Sequence, residues 1–293
     1  MARAGAIVVV LVAGLVVGLL PVAAASEPRV VSLGGDITET VFALGAGEAL
    51  VAVDSTSRHP PEARELPDVG YLRRLGAEPI IALGPSLVLA SESAGPEQVV
   101  RQLKSAGIRW VSIPDTHSPE GVLAKVQAVA AALDRPRAGA RLAQSLREAF
   151  AALPPALEPP PRVLFLFSVG RGAPLAAGRD TSAEAIIELA GGRNALDGFE
   201  GFKPVSAEAL VAAAPEVVVM PQRSLELLGG TEAVLARPGL AATPAGRQRR
   251  LIAMDGLLLL GFGPRTPEAA AQLAQALDRA MGGSHRAAQE VAR

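Results

Sequence analysis

Short apolar, β-branched runs alternate with stretches of helical periodicity along almost the whole chain. Val30-Val31-Ser32-Leu33 predicts a strand, followed by a helix that begins near Asp36 and covers Ile37 to Leu44. Gly45-x-Gly47 then supplies the glycines that commonly end a helix. Leu50-Val51-Ala52-Val53 predicts a second strand, and Glu78 to Leu83 a short helix that Pro85 closes. Leu87-Val88-Leu89-Ala90 is a third strand, Pro96 to Ala106 a helix stopped by Gly107, and Ile108 to Ile113 a fourth strand. Strands that are apolar at every position, not every second one, are buried on both faces. With helices between them they imply a mostly parallel sheet covered on both sides.

The middle of the chain differs. From Pro119 to Leu153 the pattern is helical, interrupted only at Asp134-Arg135-Pro136, where an Asp cap and a first-turn proline start a new helix. That helix is amphipathic, with Ala140, Leu142, Leu146, Ala149 and Phe150 on or near one side. Pro154-Pro155 and Pro159-Pro160-Pro161 form a stiff boundary. The alternation then restarts: a strand at Val163 to Phe167, a helix from Ser182 to Leu189, a helix from Ala207 to Ala214, and a strand at Val217 to Met220.

The restart is a repeat. Residues 77–91 read AEPIIALGPSLVLAS and residues 207–221 read AEALVAAAPEVVVMP, an offset of 130. Their flanks correspond as well, GYLRRLGAE with GFKPVSAE, so Tyr71 holds in the first half the place Phe202 holds in the second. The fold class is therefore α/β: two Rossmann-like lobes with mostly parallel sheets, joined by one long helix. The expected division is an N-terminal lobe at 26–135, the connecting helix and Pro-rich boundary at 136–161, a C-terminal lobe at 162–282 and a polar tail at 283–293.

Composition narrows the function classes. The first 25 residues pair Arg3 with an uncharged apolar run from Ala4 to Leu20 and end on Ala23-Ala24-Ala25, the pattern of a cleaved secretory signal. The mature chain of about 268 residues (293 less 25) is expected in the periplasm, as a monomer. With no cysteine, disulfides, thiolate metal sites and cysteine nucleophiles are excluded together. A formal net charge of −1, with scattered basic residues, gives no footprint for nucleic acid.

Enzyme constellations are poor. His59, His117 and His285 lie in a Pro-rich loop, a loop after a strand and the tail, and read as solvated residues, not as a converging metal set. No Gly-x-Ser-x-Gly elbow is present, and Gly170-Arg171-Gly172 and Gly261-Phe262-Gly263 lack phosphate-loop spacing. Tyr71, the only tyrosine, is different because Arg73 and Arg74 follow it. Nearby cations favour the phenolate, and a phenolate is a hard anion suited to ferric iron. Read from these residues alone, an exposed loop aromatic with solvated arginines explains the segment better than iron ligation does.

The segment GYLRRLGAEPIIALGPSLVLA (70–90) resembles the haemin-binding periplasmic proteins of haem ABC importers. So do Leu175-Ala176-Ala177-Gly178-Arg179, Gly191-Gly192-Arg193-Asn194-Ala195, Gly201-Phe202-Lys203-Pro204-Val205-Ser206-Ala207-Glu208 and Leu260-Gly261-Phe262-Gly263-Pro264-Arg265. The resemblance runs in order over nearly the whole mature chain. It implies a rigid binding protein of the single-helix-linked type that also serves cobalamin and siderophores, with ferric haem b as transported ligand. It makes Tyr71 the axial iron ligand and Arg73 its hydrogen-bonding partner, with Phe202, Phe262 and Met254 as apolar packing for the porphyrin. Arg74, Arg171, Arg179 and Lys203 are the cations available to the propionates. Some relatives carry a histidine in the loop after the strand at Val163–Phe167. Here Phe167-Ser168-Val169-Gly170 has none, which implies five-coordinate iron and one haem. Glu78 and Glu208 are implied to dock the two subunits of an ABC importer permease, and an outer-membrane haem receptor system is a further partner the resemblance admits. The rival cargoes are cobalamin and a ferric siderophore; the rival class is an exported α/β hydrolase.

Overall fold

A computed structural model describes residues 28–167 and 174–282. The first lobe contains β1 (Val30–Leu33), α1 (Gly35–Ala43), β2 (Leu50–Val53), α2 (Ala77–Ala82), β3 (Leu87–Ser91), α3 (Glu97–Ser105) and β4 (Arg109–Ile113). Its four strands lie in the order β2-β1-β3-β4, all parallel. Side chains alternate between two cores, as the two-residue period of a strand requires. Val30, Leu87 and Leu89 pack with Ile37 and Val41 of α1. Val31, Leu33, Val88 and Ala90 pack with Ile80 of α2 and with Val99 and Leu103 of α3.

Two helices follow, α4 (Pro119–Ala132) and α5 (Pro136–Ala151). The helical stretch divides where its sequence indicates, with Pro136 in the first turn of α5, but Asp134 is not the cap expected. It takes a left-handed conformation (φ 54°) just after α4, and Arg135 holds the cap position with no side-chain hydrogen bond. α4 belongs to both halves of the molecule. Val122 and Val126 join the core of the second lobe, while Val129, Ala130, Ala132 and Leu133 join that of the first.

The second lobe contains β5 (Arg162–Phe167), β6 (Leu175–Ala177), α6 (Ser182–Leu189), β7 (Arg193–Asn194), β8 (Phe202–Pro204), α7 (Ala207–Ala213) and β9 (Val217–Pro221). It continues through α8 (Gln222–Leu227), α9 (Gly230–Leu235), α10 (Pro244–Arg247), β10 (Leu251–Met254), α11 (Gly256–Leu260) and α12 (Thr266–Ala280). β7, β5, β9 and β10 are parallel and repeat the strand order of the first lobe, while β6 and β8 extend the sheet antiparallel from the far end of β5. One face is covered by Ile186 and Ile187 of α6 and Leu273 and Leu277 of α12; the other by Leu210, Leu225 and Val234 of α7, α8 and α9. Each such side chain, fully buried, contributes about 1.5–3 kcal/mol.

The internal repeat is geometric as well as textual. α2 and α7 end on Gly84 (φ 58°) and Ala214 (φ 43°), 130 positions apart, and the strands that follow are buried at every residue. The expectation of two like α/β lobes is met. The segment from α8 to α12 completes the second lobe without an equally regular pattern in the sequence.

Candidate binding cleft between the lobes

Parallel strands bring all their carboxyl ends to one side of a sheet, and ligands of open α/β sheets bind there. Here those sides meet. Gly35, just after β1, packs against Leu257 of α11: a Cβ on Gly35 would stand 2.6 Å from the Thr56 carbonyl oxygen and 2.7 Å from Leu257 Cδ1. His117, in the loop after β4, meets Phe262 edge-on with ring centroids 5.2 Å apart.

The Tyr71 loop hangs from this same side of the first lobe. Ser55 N, after β2, donates to the Gly70 carbonyl at 3.0 Å; Gly95 N, after β3, donates to the Leu72 carbonyl at 2.8 Å, and Leu75 N donates back to the Gly95 carbonyl at 3.0 Å. Beneath it Asp54 is buried and accepts from Gly34 N (3.0 Å), Ser57 Oγ (2.8 Å) and Thr56 Oγ1 (2.8 Å). Leu72 and Leu75 sink into the core, which leaves Tyr71, Arg73 and Arg74 outside. Tyr71 is 38% exposed, and the guanidinium carbon of Arg74 lies 5.9 Å from its ring centroid. Arg74, not Arg73, is thus the cation over the phenol ring. Arg73 makes no hydrogen bond or ion pair within the described residues, so its charge is available.

On the second lobe β6 and β8 bring three expected residues together. Phe202 sits in register with Ala177, its ring 6.4 Å from that of Phe165 and 6.1 Å from that of Phe167. Lys203 lies 5.6 Å from the Phe199 ring centroid, and Arg179 pairs with Glu200 at 3.4 Å. Met254, half-buried at the end of β10, pairs with Pro221. Phe262 is 1% exposed and belongs to the second core, so it presents no face to the cleft here. Arg171 and residues 168–173 after β5 lie outside the described residues, as do the segment expected to be a secretory signal and His285. Glu78 and Glu208 stand exposed in the first turns of α2 and α7.

The seam itself carries a polar cluster that sequence reasoning missed. Lys125 of α4, 1% exposed, donates to the Asp36 carboxylate, to Asp115 Oδ1 at 3.2 Å and to the Gly261 carbonyl at 3.4 Å. One ammonium thereby ties α1, the loop after β4 and the second lobe together. Burial works against its charge, but Asp36 and Asp115 outweigh that and hold the Lys125 pKa above the ordinary lysine range. Beside it Arg265 pairs with buried Glu39 through both guanidinium nitrogens that face it. His117, read from sequence as solvated, is half-buried; burial pushes its pKa down against the pull of Asp115, so it is neutral at physiological pH.

A family model described as "Periplasmic binding protein" matches residues 30–257. Among solved structures the chain is similar to "Periplasmic heme-binding protein RhuT from Roseiflexus sp. RS-1 in apo form", at 44% identity and a TM-score of 0.82, covering 87% of this chain and 99% of that one. It is likewise similar to "Periplasmic heme-binding protein BhuT in complex with two hemes", at 45% identity and a TM-score of 0.81, with the same coverage. Among curated proteins, the vitamin B12-binding protein of Salmonella typhimurium is 30% identical over 212 residues, 71% of this chain and 78% of that protein.

Proposed function

The chain belongs to the periplasmic binding protein family, a family of binding proteins and not enzymes, and on that premise we propose that it captures ferric haem in the periplasm and delivers it to an ABC importer. The observation that carries this reading is Tyr71: the only tyrosine of the chain, exposed on a pinned loop at the carboxyl ends of the first sheet, with Arg74 over its ring. The higher identity to the two heme-binding proteins than to the vitamin B12-binding proteins supports haem over cobalamin.

In this reading the Tyr71 phenolate binds the iron, and Arg73 and Arg74 stabilise its charge and that of the propionates. Lys203 and Arg179 offer cations from the other lobe, while Phe202 and Met254 give apolar surface to the porphyrin. The rigidly tied seam holds the two walls at a fixed separation, so capture relies on local side-chain and loop adjustment. Glu78 and Glu208 then present one carboxylate from each lobe to the permease.

The test is an absorption titration of the mature protein with ferric haem, beside Tyr71→Phe. Wild type is expected to saturate with tyrosinate-type high-spin bands that the variant lacks. Identical spectra would remove Tyr71 from the site. Failure of both proteins to bind haem, with cobalamin binding instead, would give the cargo to cobalamin. One haem per chain is expected, and the two-haem form of BhuT makes the end point of the titration a result in itself.

A further inference from the structure

Four large apolar side chains stand exposed among the described residues: Tyr71, Ile81, Val211 and Leu227. Tyr71 belongs to the binding loop. Ile81 and Val211 are 130 positions apart, the spacing of the internal repeat, and so hold the same place on α2 and α7. They are 42% and 47% exposed. The residue before each, Ile80 and Leu210, is buried and fastens its helix to its lobe. Ile81 lies three residues after Glu78, and Val211 three after Glu208, so in each lobe a carboxylate and an aliphatic side chain share one helix face. Only Pro79 and Ala82 flank the first pair and Ala209 and Ala212 the second, all exposed and compact.

Single exposed aliphatic residues are ordinary. Here two of the four recur at equivalent positions, each beside a glutamate that has no ion-pair partner within the described residues. Hydrogen bonds from its own backbone amide and from Ser206 hold the Glu208 carboxyl below its usual range, so it is ionised throughout physiological pH.

We infer that Ile81 and Val211 are paired apolar anchors that, together with Glu78 and Glu208, seat the protein on a partner with two equivalent faces, each a shallow apolar socket bordered by a basic side chain. The partner's identity rests on the importer reading, in which the two faces belong to the two permease subunits. A twofold partner requires the same chemistry at both lobe tips, and both the charge and the apolar knob meet that requirement. Leu227 does not: its counterpart position in the first lobe is Glu97.

The experiment measures saturable binding of labelled, haem-loaded mature protein to right-side-out inner-membrane vesicles of the source bacterium. Ile81→Ser and Val211→Ser are each expected to weaken binding about tenfold, and together about a hundredfold, since anchors filling a socket dominate such interfaces. Leu227→Ser should bind as wild type does, and haem titration of every variant should be unchanged. If the double serine variant binds like wild type while Glu78→Gln/Glu208→Gln does not, the anchors are wrong and docking through the lobe tips stands. If the serine variants fail and the glutamine variant does not, the anchors hold and the glutamates lose their role. Equal losses in all variants, Leu227→Ser included, would mean nonspecific apolar adhesion and overturn the inference. Loss at only one lobe would overturn the twofold partner, and absence of saturable binding by wild type would overturn the anchors and the importer reading together.

Discussion

Lys125→Met removes the ammonium from the seam while keeping most of the side-chain volume. Asp36 is then left buried, with burial and Asp115 both opposing its charge and no cation beside it. Stranding one member of a buried ion pair costs about 3–5 kcal/mol. Asp115 adds little, because its side chain is 31% exposed and can be solvated again. The Gly261 contact at 3.4 Å is too long to add much. The expected loss at neutral pH is therefore about 3–4 kcal/mol.

The pH dependence follows from the direction of each shift. Burial already pushes the Asp36 carboxyl up against the pull of Lys125, and without the lysine it rises further. In the variant the folded state holds this proton more tightly than the unfolded state, so its stability falls as pH rises from the ordinary carboxylate range through the raised pKa. In wild type, Lys125 titrates above the ordinary lysine range, so its contribution persists through neutral pH and is lost only beyond it. The deficit should be small near about pH 4.5 and complete by about pH 8. Urea unfolding followed by circular dichroism at both pH values gives it, with Asp36→Asn/Lys125→Met as the companion. The amide carries no charge, so the double variant should regain at least about 2 kcal/mol at the higher pH. A deficit under about 1 kcal/mol there, equal deficits at the two pH values, or no rescue would refute the view that this ammonium keeps Asp36 ionised.

Three further outcomes can be read from denaturation curves. Gly35→Ala drives a methyl group into the Thr56 carbonyl and Leu257 across the seam, and should cost about 1–3 kcal/mol because a backbone oxygen cannot step aside. Arg265→Gln leaves buried Glu39 short of its charged partner and should lose about 2 kcal/mol at neutral pH; burial pushes Glu39 up, so the loss should shrink in acid. Ala214→Gly relieves a left-handed alanine (φ 43°) at the position where the first lobe already has Gly84, and should gain up to about 1 kcal/mol in urea midpoint stability.

The two lobes were legible because the central strands β3 and β9 are almost wholly apolar and because residues 77–91 and 207–221 share one pattern. The loop carrying Tyr71 was legible from the same repeat, which sets the only tyrosine, followed by Arg73 and Arg74, where the second half has Phe202. The seam was not. Asp36 lies 89 positions from Lys125, and Asp36, Asp115 and Lys125 each pass individually for a solvated charge. One signal was available in α4, where helical spacing puts Lys125 on the stripe of Val122, Val126, Val129 and Ala130, opposite the polar Glu120 and Gln127. A lone lysine there needs a buried carboxylate. His117 was misread because a polar residue after a strand is usually exposed, whereas here the strand ends against the other lobe. Arg265 stood in a quoted motif without a partner, since Glu39 lies 226 positions away.

That α4 lends its first turns to one core and its last turns to the other has a consequence for the biography of the molecule. Neither lobe owns a complete interior, so neither half can be a product of folding on its own. The core that holds Val122 and Val126 also holds Leu273 and Leu277 of α12, so a chain emerging lobe by lobe would keep that core unfinished until α12 has arrived. Such a protein should melt in one step, tolerate no separation into independently expressed halves, and have no binding surface until α12 is in place.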